Sequence, residues 1–145
     1  MLAALAAACA PVPTAPPAPP APSVLPPYSI VLKDYKRSVA NRIVQVSGDT
    51  YSQPLPEVMK SIVVLQISLD GKGEPAAVSV LRSNGYTHLE ERALASVAKA
   101  APFAPPAPTL LRGAATITFL ETFLFRDDDF FQVRSLVPDG REKLF

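Results

Sequence analysis

From Ile62 to Leu69 apolar and polar residues alternate, with Val63, Leu65, Ile67 and Leu69 on one side. That two-residue period, in a β-branched stretch, predicts a half-buried strand. Asp70-Gly-Lys-Gly-Glu-Pro75 offers glycines for positive φ and a proline to fix the exit, so the chain turns there. A return arm, Ala77–Arg82, alternates again with Val78 and Val80 facing one way. Ser83-Asn-Gly85 breaks it, and Thr87-x-x-Glu90 reads as a capping box that opens a helix. Leu89, Ala93, Leu94 and Val97 give that helix one apolar stripe, and Pro102 stops it. The expected core is Leu65, Ile67, Val80, Leu94, Val97 and Phe119.

Upstream, Tyr35, Val39, Ile43 and Val46 recur at helical spacing within Tyr28–Val46. Lys33, Lys36, Arg37 and Arg42 fall mostly on its wet side, where they read as a solvated face rather than a lipid-headgroup patch. Ser47-Gly-Asp49 ends the helix, and the two prolines of Tyr51–Glu57 make the approach to the first strand a loop. Downstream, Ala101–Pro108 is too proline-rich for a helix or an inner strand. It reads as a surface connector with Phe103 turned into the core. Ala115–Phe125 is the longest strand, with Ile117, Phe119, Phe123 and Phe125 on one face. Glu121 falls on that same face, an awkward place that a nearby β-bulge would relieve. Asp127–Asp129 then reads as a turn into a further strand, Phe130–Leu136. A calcium loop there would need alternating oxygen ligands, a glycine and a distal glutamate, which the stretch lacks.

Composition divides the chain. Of its 145 residues 17 are proline, and the net charge is +1. The prolines crowd between Pro11 and Pro27, and Lys33 is the first charged residue. Residues 10–27 are therefore a proline-alanine linker of polyproline II character, able to reach about 50 Å. Residues 28–137 form one folded domain, and 138–145 a loose tail. Residues 1–9 are apolar but too short for a membrane span, and fit a signal segment better. Leu5-Ala-Ala-Ala-Cys9 resembles a bacterial lipobox with its leucine one place too far from the cysteine. Cys9 is the one cysteine in the chain and so has no disulfide partner within it. It is the candidate lipidation site and the candidate tie to a membrane.

The order Val63-Val-Leu-Gln-Ile-Ser-Leu-Asp-Gly-Lys-Gly73, Val80-Leu-Arg-Ser-Asn-Gly85, Leu89-Glu-Glu-Arg-Ala-Leu94 and Ala100-Ala-Pro-Phe103 resembles the C-terminal domain of TonB and TolA proteins. The resemblance covers roughly Leu55 to Phe125, about half of the chain. A helix before the hairpin resembles the TolA arrangement, and the proline spacer resembles those of TonB-like proteins. The hairpin added after Phe125 departs from the family pattern. The resemblance implies a periplasmic location and recognition of a short peptide from an outer-membrane receptor, with force supplied by an inner-membrane motor.

Candidate chemistry changes this picture little. His88 is the only histidine, near Glu90 and Glu91, and in a hydrolase it would be a base oriented by a carboxylate with Ser83 as the nucleophile. No nucleophile elbow, oxyanion glycines or second histidine accompany them, so His88 reads as a surface residue at a helix start. One histidine and one cysteine do not make a zinc site unaided. No basic run suggests nucleic acid. The expectation is an α+β domain: an antiparallel sheet of three to four strands with two helices on one face. It is read as a non-enzyme without cofactor or metal, binding a protein partner of the cell envelope at a sheet edge. The candidate edge is Phe130, Phe131, Gln132, Val133 and Arg134, with the opposite edge as the other choice. A structural envelope lipoprotein held through Cys9 is the alternative.

Overall fold

In the computed structural model of the protein, residues 30–52 and 54–138 are described. Cys9, the proline-alanine linker and residues 139–145 lie outside them. Strand β1 (Ser61–Asp70) is the spine of the fold. It pairs antiparallel with β2 (Pro75–Arg82) on one side and with β3 (Thr116–Phe125) on the other. A short β4 (Phe131–Val133) pairs antiparallel with β3, and the four strands run in the order β2-β1-β3-β4. Helices α1 (Ile30–Val46) and α2 (Thr87–Ala100) cover one face of this sheet. The expected α+β architecture is the one observed.

The sheet face was legible from alternation, because Val63, Leu65, Ile67 and Leu69 are all fully buried. Ile117, Phe119, Phe123 and Phe125 of β3 join them, as do Tyr35, Val39 and Ile43 of α1 and Leu89, Ala93 and Val97 of α2. Burying a side chain of this size from water stabilises the fold by roughly 1.5–3 kcal/mol. Val80 and Leu94, expected inside, are only partly buried at the margin of the core. The hairpin turn is anchored from within: both Lys72 and Glu74 donate their backbone N–H to the Asp70 carboxylate at 2.8 and 2.9 Å.

Three local expectations need correction. Thr87 forms no capping box: Tyr86 stands at the cap position of α2, without a side-chain cap bond. Glu90 instead takes a hydrogen bond from the Ser83 hydroxyl. No bulge relieves Glu121, since the β1–β3 register runs unbroken from Ser61↔Phe125 to Asp70↔Thr116. The irregularities lie between β1 and β2. Phe130–Leu136 is not one strand; pairing stops at Val133 and a 3₁₀ turn, Arg134–Leu136, follows. The proline-rich connector also folds one short helical turn, α3 (Pro108–Leu111), which sends Leu110 inside.

Candidate protein-interaction edge

A sheet of this kind offers partners its edges, where backbone N–H and C=O groups lack a neighbouring strand. Which residues those are follows from alternation along each strand. The N–H of Arg126 donates to the carbonyl of Phe130 at 2.8 Å, so even-numbered residues of β3 aim their backbone toward β4. The 60s follow in turn: odd residues of β1 face β3 and even ones face β2. On β2 the outward backbone groups are then those of Val78 and Val80. That edge begins at Pro75, ends at the exposed Arg82 and is irregular near both ends. Proline, charge and bulges are features that blunt pairing at a free edge.

The edge expected at Phe130, Phe131, Gln132, Val133 and Arg134 proves largely spent. Phe131 donates its N–H to Asp49 at 3.0 Å and accepts the N–H of Tyr51 at 3.1 Å, forming a parallel bridge with Thr50. Its side chain is buried against Phe123 and Phe125, with ring centroids 5.3 and 5.6 Å away. Val133 is fully buried as well. Gln132 pairs with Leu124, so its N–H points into the sheet rather than away from it. The Phe130 carbonyl is taken by Arg126, and Arg134 begins the 3₁₀ turn.

β4 is so short that it covers only Phe123–Phe125 of its neighbour. Among the described residues, no strand pairs with the outward side of residues 116–122. The strand expected at Phe130–Leu136 would occupy this edge; with β4 only three residues long, most of the edge stays unpaired. Leu120, half exposed, marks its position on the open face of the sheet. The stretch ends at Glu121, whose carboxylate accepts the N–H of Thr122 at 3.1 Å and that of Ser135 at 3.3 Å.

The turn between β3 and β4 is held by a cluster of charged groups that the sequence left scattered. Lys60 Nζ lies 2.6 Å from the Asp129 carboxylate although 69 residues separate them. His88 Nε2 lies 3.3 Å from the other carboxylate oxygen. Arg92 donates to the Asp129 carbonyl at 2.8 Å and pairs with Asp49 at 3.7 Å. The Lys60 hydrogen bond above all holds the Asp129 carboxyl below the usual carboxylate range. His88 thus serves a turn, and Ser83 is occupied with Glu90. No group of three or more metal-ligating side chains occurs among the described residues. No helix among them is long and apolar enough to cross a membrane.

Residues 59–125 match the family model for the Gram-negative bacterial TonB protein C-terminal. Over that span the chain is TonB-like. The match begins just before β1 and ends on the last residue of β3, so the hairpin, α2 and the long strand are the family's part. Helix α1 and strand β4 flank the TonB-like core from outside the matched span. Among solved structures, that of HasB CTD is similar, with a TM-score of 0.42 and 19% identity. The similarity covers 89% of this chain and 95% of that one. No curated protein matches the chain.

Proposed function

We propose that this chain is a periplasmic TonB-like protein-binding module, serving energy-coupled transport across the outer membrane by recognising an extended segment of an envelope protein. The observation that carries the reading is the unpaired outward side of β3 beside a β4 only three residues long. The backbone of Thr116, Thr118 and Leu120 supplies the donors and acceptors, and the partner's segment would lie end to end with β4. Main-chain bonds give such pairing its affinity, so a lost donor matters more than a changed side chain. Placing a photo-crosslinking residue at Leu120 should capture an envelope protein through an extended segment, identified by mass spectrometry. Leu120→Ala should retain binding of that protein. Leu120→Pro, which removes an outward N–H that no strand uses, should lose it while the sheet persists. Capture from Val78 on the β2 edge alone would move the site to the other side of the sheet.

A second reading, a structural lipoprotein without energy transduction, is favoured by Leu5-Ala-Ala-Ala-Cys9. Metabolic labelling with a palmitate analogue would mark the parent and spare Cys9→Ser under that reading. Equal labelling of the two, or of neither, removes it.

A further inference from the structure

Glu121 is the one charged side chain in the core among the described residues, with only 1% of its surface exposed. It sits on the face of β3 that carries Phe119 and Phe123, directly opposite Leu65 of β1. Its carboxylate reaches three donors. One oxygen accepts the N–H of Thr122 on β3 and the N–H of Ser135 in the 3₁₀ turn. The other accepts the Ser135 hydroxyl at 2.6 Å. One side chain therefore fastens the turn after β4 to β3 and also satisfies the next outward donor along β3.

We propose that Glu121 is a pH-responsive latch: it fastens the 3₁₀ turn to β3, closes the free edge at Thr122, and holds more tightly as pH falls. The direction follows from where the charge is tolerated. When the turn lifts away, the carboxylate meets water and ionises as an ordinary glutamate does. When the turn is seated, the group is enclosed by β1, β3 and the turn. The charge acting on it is Lys36 of α1, with Leu65 from β1 and the neutral Ser135 from the turn facing it. Burial outweighs Lys36 and the three hydrogen bonds, and pushes the carboxyl above the usual range. A proton is therefore bound more strongly in the seated state. A protonated carboxyl keeps the geometry as well, since its carbonyl oxygen accepts the two N–H groups while its hydroxyl exchanges a hydrogen bond with Ser135.

Amide hydrogen exchange on the full-length chain reads the latch directly. Protection factors, which remove the intrinsic pH dependence of exchange, should rise for Thr122 and Ser135 as pH is lowered from neutral toward the ordinary glutamate range. One bound proton allows a gain of up to about tenfold per pH unit. Gln66 and Ser68, on the far side of β1, should show no such slope. Glu121→Gln keeps an acceptor for the N–H groups and carries no charge. Its two amides should be protected at neutral pH as the parent's are in acid, without further change on acidification. Flat protection factors in the parent, or a slope that survives Glu121→Gln, would overturn the latch. The parent's slope decides the matter even if the variant folds poorly, because a carboxyl-carbon titration assigns the proton to Glu121 or away from it.

Discussion

Tyr35 shows at a single residue how burial and a polar handle are reconciled. Its ring packs edge-on against Phe119, with centroids 6.2 Å apart, while its hydroxyl donates to the Ala104 carbonyl at 2.9 Å. Burial first, then the field of Asp70, raises its pKa from 10.0 to about 12. The raised value means that the folded protein keeps this proton after the unfolded chain has released it. Its contribution to stability is complete below pH 10 and is lost as pH rises toward 12. Urea unfolding between those limits should show stability falling with pH, and Tyr35→Phe should flatten the dependence. At neutral pH that variant should cost about 1 kcal/mol, the usual worth of one such hydrogen bond. Periodicity alone placed Tyr35 inside, but nothing local announced Ala104. Glu121 was legible in the opposite sense. Its position on an aromatic face was plain, whereas its remedy, Ser135 beyond the next turn, was visible only in three dimensions.

Elements were legible where one face had to be buried, and less so where the chain ends a pairing. The alternation of β1 and the stripe of α2 fixed which sides turn inward, with Leu94 and Val80 misjudged because they lie at the rim. Leu89→Ala, at a fully buried site, should therefore cost about 2–5 kcal/mol, and Leu94→Ala clearly less. The length of β4 was not legible, since alternation in Phe130–Leu136 says nothing of when a neighbouring strand stops pairing. The union of the hairpin turn with the proline connector was hidden too. Gly73 has φ 83° and passes its carbonyl to the N–H of Phe103 at 2.9 Å. A methyl group placed on Gly73 would lie 2.1 Å from the Phe103 carbonyl oxygen, which is backbone and has no rotamer by which to withdraw. Gly73→Ala should thus combine an unfavourable left-handed conformation with a forced separation of turn and connector, and cost on the order of 2–4 kcal/mol. Gly85 provides the control. It also has positive φ, 95°, but a methyl group there meets nothing within 4 Å. Gly85→Ala should cost only the conformational part, about 1–2 kcal/mol. Equal midpoints and slopes for the two variants in urea would show that the contact with Phe103 does not matter.

For the whole molecule, the family's part and the folding unit are different lengths of chain. The TonB-like match stops at Phe125, yet the core does not. Phe131 and Val133 of β4 are buried against the phenylalanines of β3, and Leu32, Tyr35, Val39 and Ile43 of α1 roof the same sheet. The polar clamp points the same way, because Asp129 and Asp49 lie outside the matched span while Lys60, His88 and Arg92 lie within it. A fragment limited to residues 59–125 would leave the α1-facing side of the sheet and the Phe123–Phe125 edge to water. Each uncovered large side chain forfeits roughly 1.5–3 kcal/mol, and a domain's whole stability is only about 5–15 kcal/mol. The fragment should accordingly be unfolded: little helical circular dichroism, no cooperative thermal transition and collapsed amide dispersion. Residues 30–138 should instead melt in one step with the same midpoint as the full-length chain. Phe131→Ala in that longer fragment should lower stability by about 3–5 kcal/mol, as expected of a core phenylalanine. If the 59–125 fragment folds cooperatively, β4 is an accessory laid on a finished domain, and a partner strand could displace it from β3. If it does not, β4 belongs to the core, and under the proposed function a partner segment would pair beside β4 rather than in its place.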